Sequence, residues 1–158
     1  MAWNKNGTPV TLTGTGSDMD ITDLTAKNFH VLLTHILAGG GDHGGAITFD
    51  NDTSSYADRR NLNGGTDATD TSQSSTRSKT GWNDDHFQVM YIADIDGEET
   101  LTISFTVGTG GAGAGNDPNR IEVVSKYDGT SQFTRVDIAK SGADDFAAGS
   151  NVSMIGSD

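Results

Sequence analysis

Phe87-Gln88-Val89-Met90-Tyr91-Ile92-Ala93 and Thr100-Leu101-Thr102-Ile103-Ser104-Phe105-Thr106-Val107, lying on either side of Asp96-Gly97, decide the fold class of this chain. Both runs are rich in β-branched and aromatic residues, which fit a pleated, half-buried surface. In the second run Leu101, Ile103, Phe105 and Val107 alternate with Thr102, Ser104 and Thr106. That period of two places alternate side chains on opposite faces of a strand. Asp-Gly between such runs predicts a hairpin, because glycine accepts the positive φ that the turn demands.

The same rhythm of short extended run and turn cluster continues outward along the chain, with no steady repeat of longer period. Ile121–Tyr127 and Gln132–Ile138 predict a second hairpin around Asp128-Gly129, and Asn151–Ile155 a last short strand. On the N-terminal side, Thr8–Thr13 reads as an edge strand, where Pro9 is tolerated because no ladder donor is needed. Ile21–Leu37 fits both a helical face and a period of two. We read it as a single helical turn near Asp23–Lys27, capped by Thr22 or Asp23, leading into a buried strand that is apolar on both faces. The glycine run Gly39–Gly45 is a loop, and Ala46–Asp50 a short strand. Ser54–Leu62 carries a Ser cap and the helix formers Ala57, Arg59 and Arg60, which predicts one or two turns of helix. Thr66–Lys79 is almost wholly polar and reads as either an exposed edge strand or a mobile loop.

These readings sum to an all-β chain: an antiparallel β-sandwich of jelly-roll type with eight to nine strands and one or two short helical turns. A closed barrel is the alternative. No linker divides the chain, so residues 1–158 form one sandwich domain with a short N-terminal arm at about residues 1–7.

Composition narrows the function. The chain has 10 Lys+Arg against 22 Asp+Glu and a formal net charge of -12, which repels phosphate backbones and argues against nucleic acid as a partner. No apolar run reaches the roughly 18 residues that span a bilayer, so no membrane partner is expected. The opening residues Met1–Asn6 lack the charged and apolar regions of a secretory signal. With no Cys there is neither a disulfide framework nor a thiol nucleophile.

Motifs that carry chemistry are weak. His30, His35, His43 and His86 have no zinc-like spacing. Asp94–Glu98 has the look of a calcium loop, but an EF-hand needs a bidentate Glu where this chain has Phe105. Asp50-Asn51-Asp52 is a denser oxygen cluster that suits either Ca²⁺ or local turn bonds. Gly108–Gly115 has no Lys and no helix after it, so it reads as a long hairpin connection that could lie against a partner surface, not as a phosphate loop. There is no Gly-x-Ser-x-Gly elbow. The expectation is a protein with no catalytic residues, cofactor or metal.

Trp3, Gly7-Thr8, Ile21–Lys27, Phe49–Thr53, Tyr56-Ala57, Arg59-Arg60, Asn63–Gly65, Gly111–Gly115 and Gly156–Asp158 together resemble small β-sandwich virion proteins of marine tailed bacteriophages. The resemblance implies a structural or adhesive role without a known reaction, and it supplies no catalytic residues. It implies a capsid decoration protein on the outer shell surface, made in the host cytoplasm, with the major capsid protein or other virion proteins as partners. A homo-oligomer, with three copies as the expected number, is implied in the same way. The alternative is a tail-fibre or receptor-binding module for cell-surface glycan or protein, with Trp82 and Tyr56 as stacking platforms. The expected structural network is Asp50, Asp52, Tyr56, Arg59 and Arg60, in which Arg would bridge carboxylates and stack on Tyr. The expected partner contacts are Trp3, Trp82, Gly111 and Gly113.

Overall fold

The computed structural model describes residues 2–40, 44–78 and 84–158. In chain order its strands are β1 (Asn4–Lys5), β2 (Val10–Thr11), β3 (Asp18–Ile21), β4 (Phe29–Ile36), β5 (Gly45–Phe49), β6 (Tyr56–Leu62) and β7 (Ala68–Gln73). They continue as β8 (Thr76–Arg77), β9 (His86–Ala93), β10 (Thr100–Gly108), β11 (Asn119–Tyr127), β12 (Val136–Lys140) and β13 (Asn151–Ser157). A nine-stranded sheet runs β1-β13-β4-β9-β10-β11-β6-β7, with β2 also on β13, and faces a four-stranded sheet ordered β3-β12-β5-β8. Every named pair is antiparallel. The chain is therefore an all-β antiparallel sandwich, with more strands than the sequence indicates. The additional ones include β1, of two residues and too short to show a period, and β3, while the edge strand expected at Thr8–Thr13 is present as β2.

The Asp96-Gly97 hairpin forms as expected: β9 and β10 pair from Ala93↔Leu101 to His86↔Gly108, and Gly97 has φ 86. Phe29–Ile36 is a central strand between β13 and β9. The polar segment supplies β7, an edge strand.

Three expectations are corrected. No helical turn forms at Asp23–Lys27, because the segment is pinned by the N-terminal arm. The Asp23 carboxylate accepts the Thr8 N–H (2.8 Å) and hydroxyl (2.7 Å), while the Asn6 side chain brackets both backbone groups of Thr25. Nor is Ser54–Leu62 helical: most of it is β6, in register with β11 from Tyr56↔Tyr127 to Leu62↔Ile121. Tertiary pairing outweighs the modest helix preference of Ala and Arg. The second hairpin does not form either. β11 pairs with β10 and β6, whereas β12 belongs to the opposite sheet, so residues 128–135 cross between layers. Asp94 holds that crossing, its carboxylate accepting the Phe133 N–H (3.0 Å) and its carbonyl the Gln132 amide (2.9 Å).

An aromatic pillar joins the layers. Phe49 of β5 stacks on Phe133 (ring centroids 4.6 Å) and lies 5.8 Å from Tyr127, which in turn stacks on Tyr56 at 4.8 Å. Leu32, Ile36, Ile47, Met90, Ile138 and Val152 fill the space beside it, all fully buried. Each such side chain contributes about 1.5–3 kcal/mol by leaving water.

Beneath β10 the interior changes character. Its inward residues are Thr100, Thr102, Ser104 and Thr106, all buried, and its outward residues are Leu101, Ile103, Phe105 and Val107, all exposed. The alternation is inverted relative to a strand with one solvated face, where the apolar set points inward. Hydroxyl bonds make the inversion tolerable. Ser125 of β11 bonds both Thr102 (2.5 Å) and Thr76 of β8 (2.7 Å); Thr106 donates to the Ser78 carbonyl (2.6 Å) and Thr100 to Asp94 (2.9 Å). Removing the shared Ser125 hydroxyl strands two buried threonines, so Ser125→Ala should destabilise the fold by about 1–3 kcal/mol in denaturant unfolding. Ser153→Ala, at a half-buried outward position, should change stability by less than about 0.5 kcal/mol.

Candidate functional site

The inverted alternation leaves an apolar surface on the outside of the nine-stranded sheet. Register aligns its rows across the strands. One row runs Ile155, Val31, Tyr91, Ile103 and Val124 through β13, β4, β9, β10 and β11. The next runs Leu33, Val89 and Phe105, followed by His35, Phe87 and Val107. Tyr91, Leu101, Ile103 and Phe105 are 48–55% exposed, far above what isolated surface apolar residues need explained.

This surface is also uncharged. None of the outward residues of β4, β9, β10 or β13 is Asp, Glu, Lys or Arg, although the whole chain carries a net charge of -12. Charge begins at its border: on the β11 and β6 side it is paired, Lys126 with Glu99 (2.8 Å), Arg120 with Glu122 (3.7 Å) and Arg59 with Asp67 (3.6 Å), and on the β1 side Lys5 stands opposite Ile155.

The residues singled out from the sequence are distributed differently from the network expected of them. Asp50 and Asn51 turn the chain after β5 with φ of 50 and 59. The Asp50 carboxylate accepts the Thr134 N–H (3.0 Å). Asp52 accepts the Ser54 hydroxyl (2.7 Å) and N–H (2.8 Å) and the Tyr127 hydroxyl (3.0 Å), and the Ser54 bonds are the main reason its carboxyl lies below the usual range. Burial, aided by Asp52, pushes the Tyr127 phenol up to about 12. Tyr56 is buried, its phenol pushed well above the usual value mainly by desolvation, and its oxygen accepts the Phe49 N–H (2.8 Å) across the layers. Tyr56 therefore cannot serve as a sugar platform.

Arg59 and Arg60 do not reach Asp50, Asp52 or Tyr56. They point to opposite faces: Arg59, opposite Val124, meets Asp67, while Arg60 turns inward onto Asp58 (3.2 Å) and Asp70. Arg77 completes that cluster at 3.9 Å from Asp58, whose carboxyl is raised by burial despite the two guanidiniums. Trp3 is 46% exposed beside the edge strand β1, and Gly111 and Gly113 lie exposed in the β10–β11 connection with φ of 122 and 82. Trp82 lies outside the described residues, as does part of the glycine run before β5.

Two titratable groupings escaped the sequence reading. His30 and Asp94 approach to 3.8 Å, but both side chains are sealed from solvent, with His30 against Phe133, so the pair belongs to the core. On the outside of the four-stranded sheet, Asp20 and Asp137 stand opposite each other across β3 and β12, and Arg135 bonds both. Only pairing across strands, which no local motif reveals, brings these two together. Among the described residues no group of three or more His, Asp or Glu side chains is placed to hold a metal ion. No family model matches the chain, and no curated protein sequence matches it.

Burial, reinforced by the facing Asp137 carboxylate, pushes Asp20 up to about 6. A carboxyl raised on folding takes up a proton in the folded state first, so its contribution to stability falls as pH rises from about 4 through 6. Asp20→Asn should therefore stabilise the fold at pH 7 by about 1 kcal/mol after discounting for its partial exposure, with the gain gone at pH 4. Thermal unfolding at the two pH values checks this. Tyr56→Phe leaves the buried Phe49 N–H without its acceptor and should cost about 1–3 kcal/mol in the same assay.

Proposed function

We propose that this chain is a non-enzymatic structural protein of a virion, a decoration protein carried as a homo-oligomer on the outer surface of a phage capsid shell. The observation that carries the reading is the uncharged apolar face on an otherwise acidic sandwich, a surface suited to protein–protein assembly. The resemblance to phage virion proteins supplies the setting.

The major capsid protein, or another virion protein, is the partner in this reading. Two features are available to grip it without using the apolar face. The arm around Trp3 presents a large ring beside a sheet edge, and the connection through Gly111 and Gly113 lets backbone approach a surface closely. The acidic remainder of the surface keeps the protein dissolved until it attaches.

Purified protein mixed with shells lacking it should co-sediment to saturation, and cryo-microscopy should show added density on the outer surface. Trp3→Ala should weaken that binding by about tenfold or more. Adsorption to host cells without any binding to shells would overturn the reading in favour of a fibre or receptor-binding module.

A further inference from the structure

We propose that the outward apolar face of β4, β9 and β10 is covered by the same face of a second copy, giving a two-fold, sheet-on-sheet dimer. This deepens the assembly reading above and rests on the same face, but it does not require the shell.

Three observations select a second copy as the occupant. The first is area. The exposed apolar residues of this face, from Ile155 at 36% to Leu101 at 55%, together present on the order of 700 Å², taking roughly 150–250 Å² for a whole aromatic side chain and somewhat less for an aliphatic one. A stable complex uses about 800 Å² per partner, and the half-buried Phe29, Val31, Leu33 and Val89 close that gap.

Charge is the second. Two copies with a net charge of -12 repel over most of their surfaces. The outward residues of β4, β9, β10 and β13 form a zone where contact brings no like charges together, and the ion pairs at Lys126, Arg120 and Arg59 rim it on one side. Third, the face consists of successive regular rows of β-branched and aromatic side chains on a sheet, the kind of surface that packs on another sheet about 10 Å away with interdigitated side chains. A sheet face paired with itself in this way is isologous and closes at two copies, not at the three implied by the resemblance.

Sedimentation or light scattering of the whole chain at micromolar concentration should give twice the 16.5 kDa of one chain. Ile103→Lys, at the centre of the face, should raise the dissociation constant by about thirtyfold or more. Because Ile103 is exposed, its circular dichroism spectrum should stay that of the parent protein. Ala139→Lys, exposed on the opposite sheet, should leave the mass unchanged. A monomer, a three-copy mass, or a dimer indifferent to Ile103→Lys overturns the proposal. A monomer that still binds shells overturns it while leaving the virion reading standing, and a dimer that ignores shells does the reverse.

Discussion

Ser125 sits under the nine-stranded sheet with its hydroxyl shared between Thr102 and Thr76, and from that contact the orientation of strand β10 follows. Side chains on a strand alternate strictly, so holding Thr102 inward leaves Leu101 and Ile103 nowhere to go but out. A slip of one residue would bury four apolar side chains but would push a set of hydroxyls into solvent and unpair their partners on β8 and β11. The hydrogen-bonded arrangement keeps the Thr100, Thr102 and Thr106 hydroxyls satisfied, leaving only Ser104 Oγ of the inward row without a partner, and an unsatisfied hydroxyl costs about 1–3 kcal/mol. It gives up the burial of Leu101, Ile103, Phe105 and Val107 within the monomer. The interior is thus two cores side by side, an aromatic and aliphatic one around Phe49 and Phe133 and a hydroxyl-rich one beneath β10.

Much of the fold was legible from periodicity and turn chemistry. The Asp96-Gly97 hairpin and the central strand Phe29–Ile36 appear where alternation and glycine placed them, because those signals are local. Failures came where distant partners decide. The helix preference of Ser54–Leu62 yields to an extended pairing with β11, and at Asp128-Gly129 the chain passes to the other layer instead of turning back, because Asp94, far away in sequence, captures Phe133 and Gln132.

The candidate site was visible only as a pattern without an orientation. Leu101, Ile103, Phe105 and Val107 announce a two-faced strand, but nothing local says which face is inside. The deciding hydroxyls belong to other strands. The charged pairs expected around Tyr56 failed for a related reason. Adjacent residues on a strand diverge, so Arg59 and Arg60 cannot serve one cluster, and each found an acid on its own side of the sheet.

The two ends of the large sheet carry a further meaning. At one end β7 is polar, meets β6 with a register shift and has Ser72 at φ 56; at the other, β1 is only two residues long. Neither end offers a long, flat row of free backbone groups for another chain to extend. Growth strand upon strand, which has no natural stopping point, is discouraged at both margins. A broad face behaves differently, since it is consumed the moment it is covered. The margins of the large sheet are shaped to resist growth into a fibril.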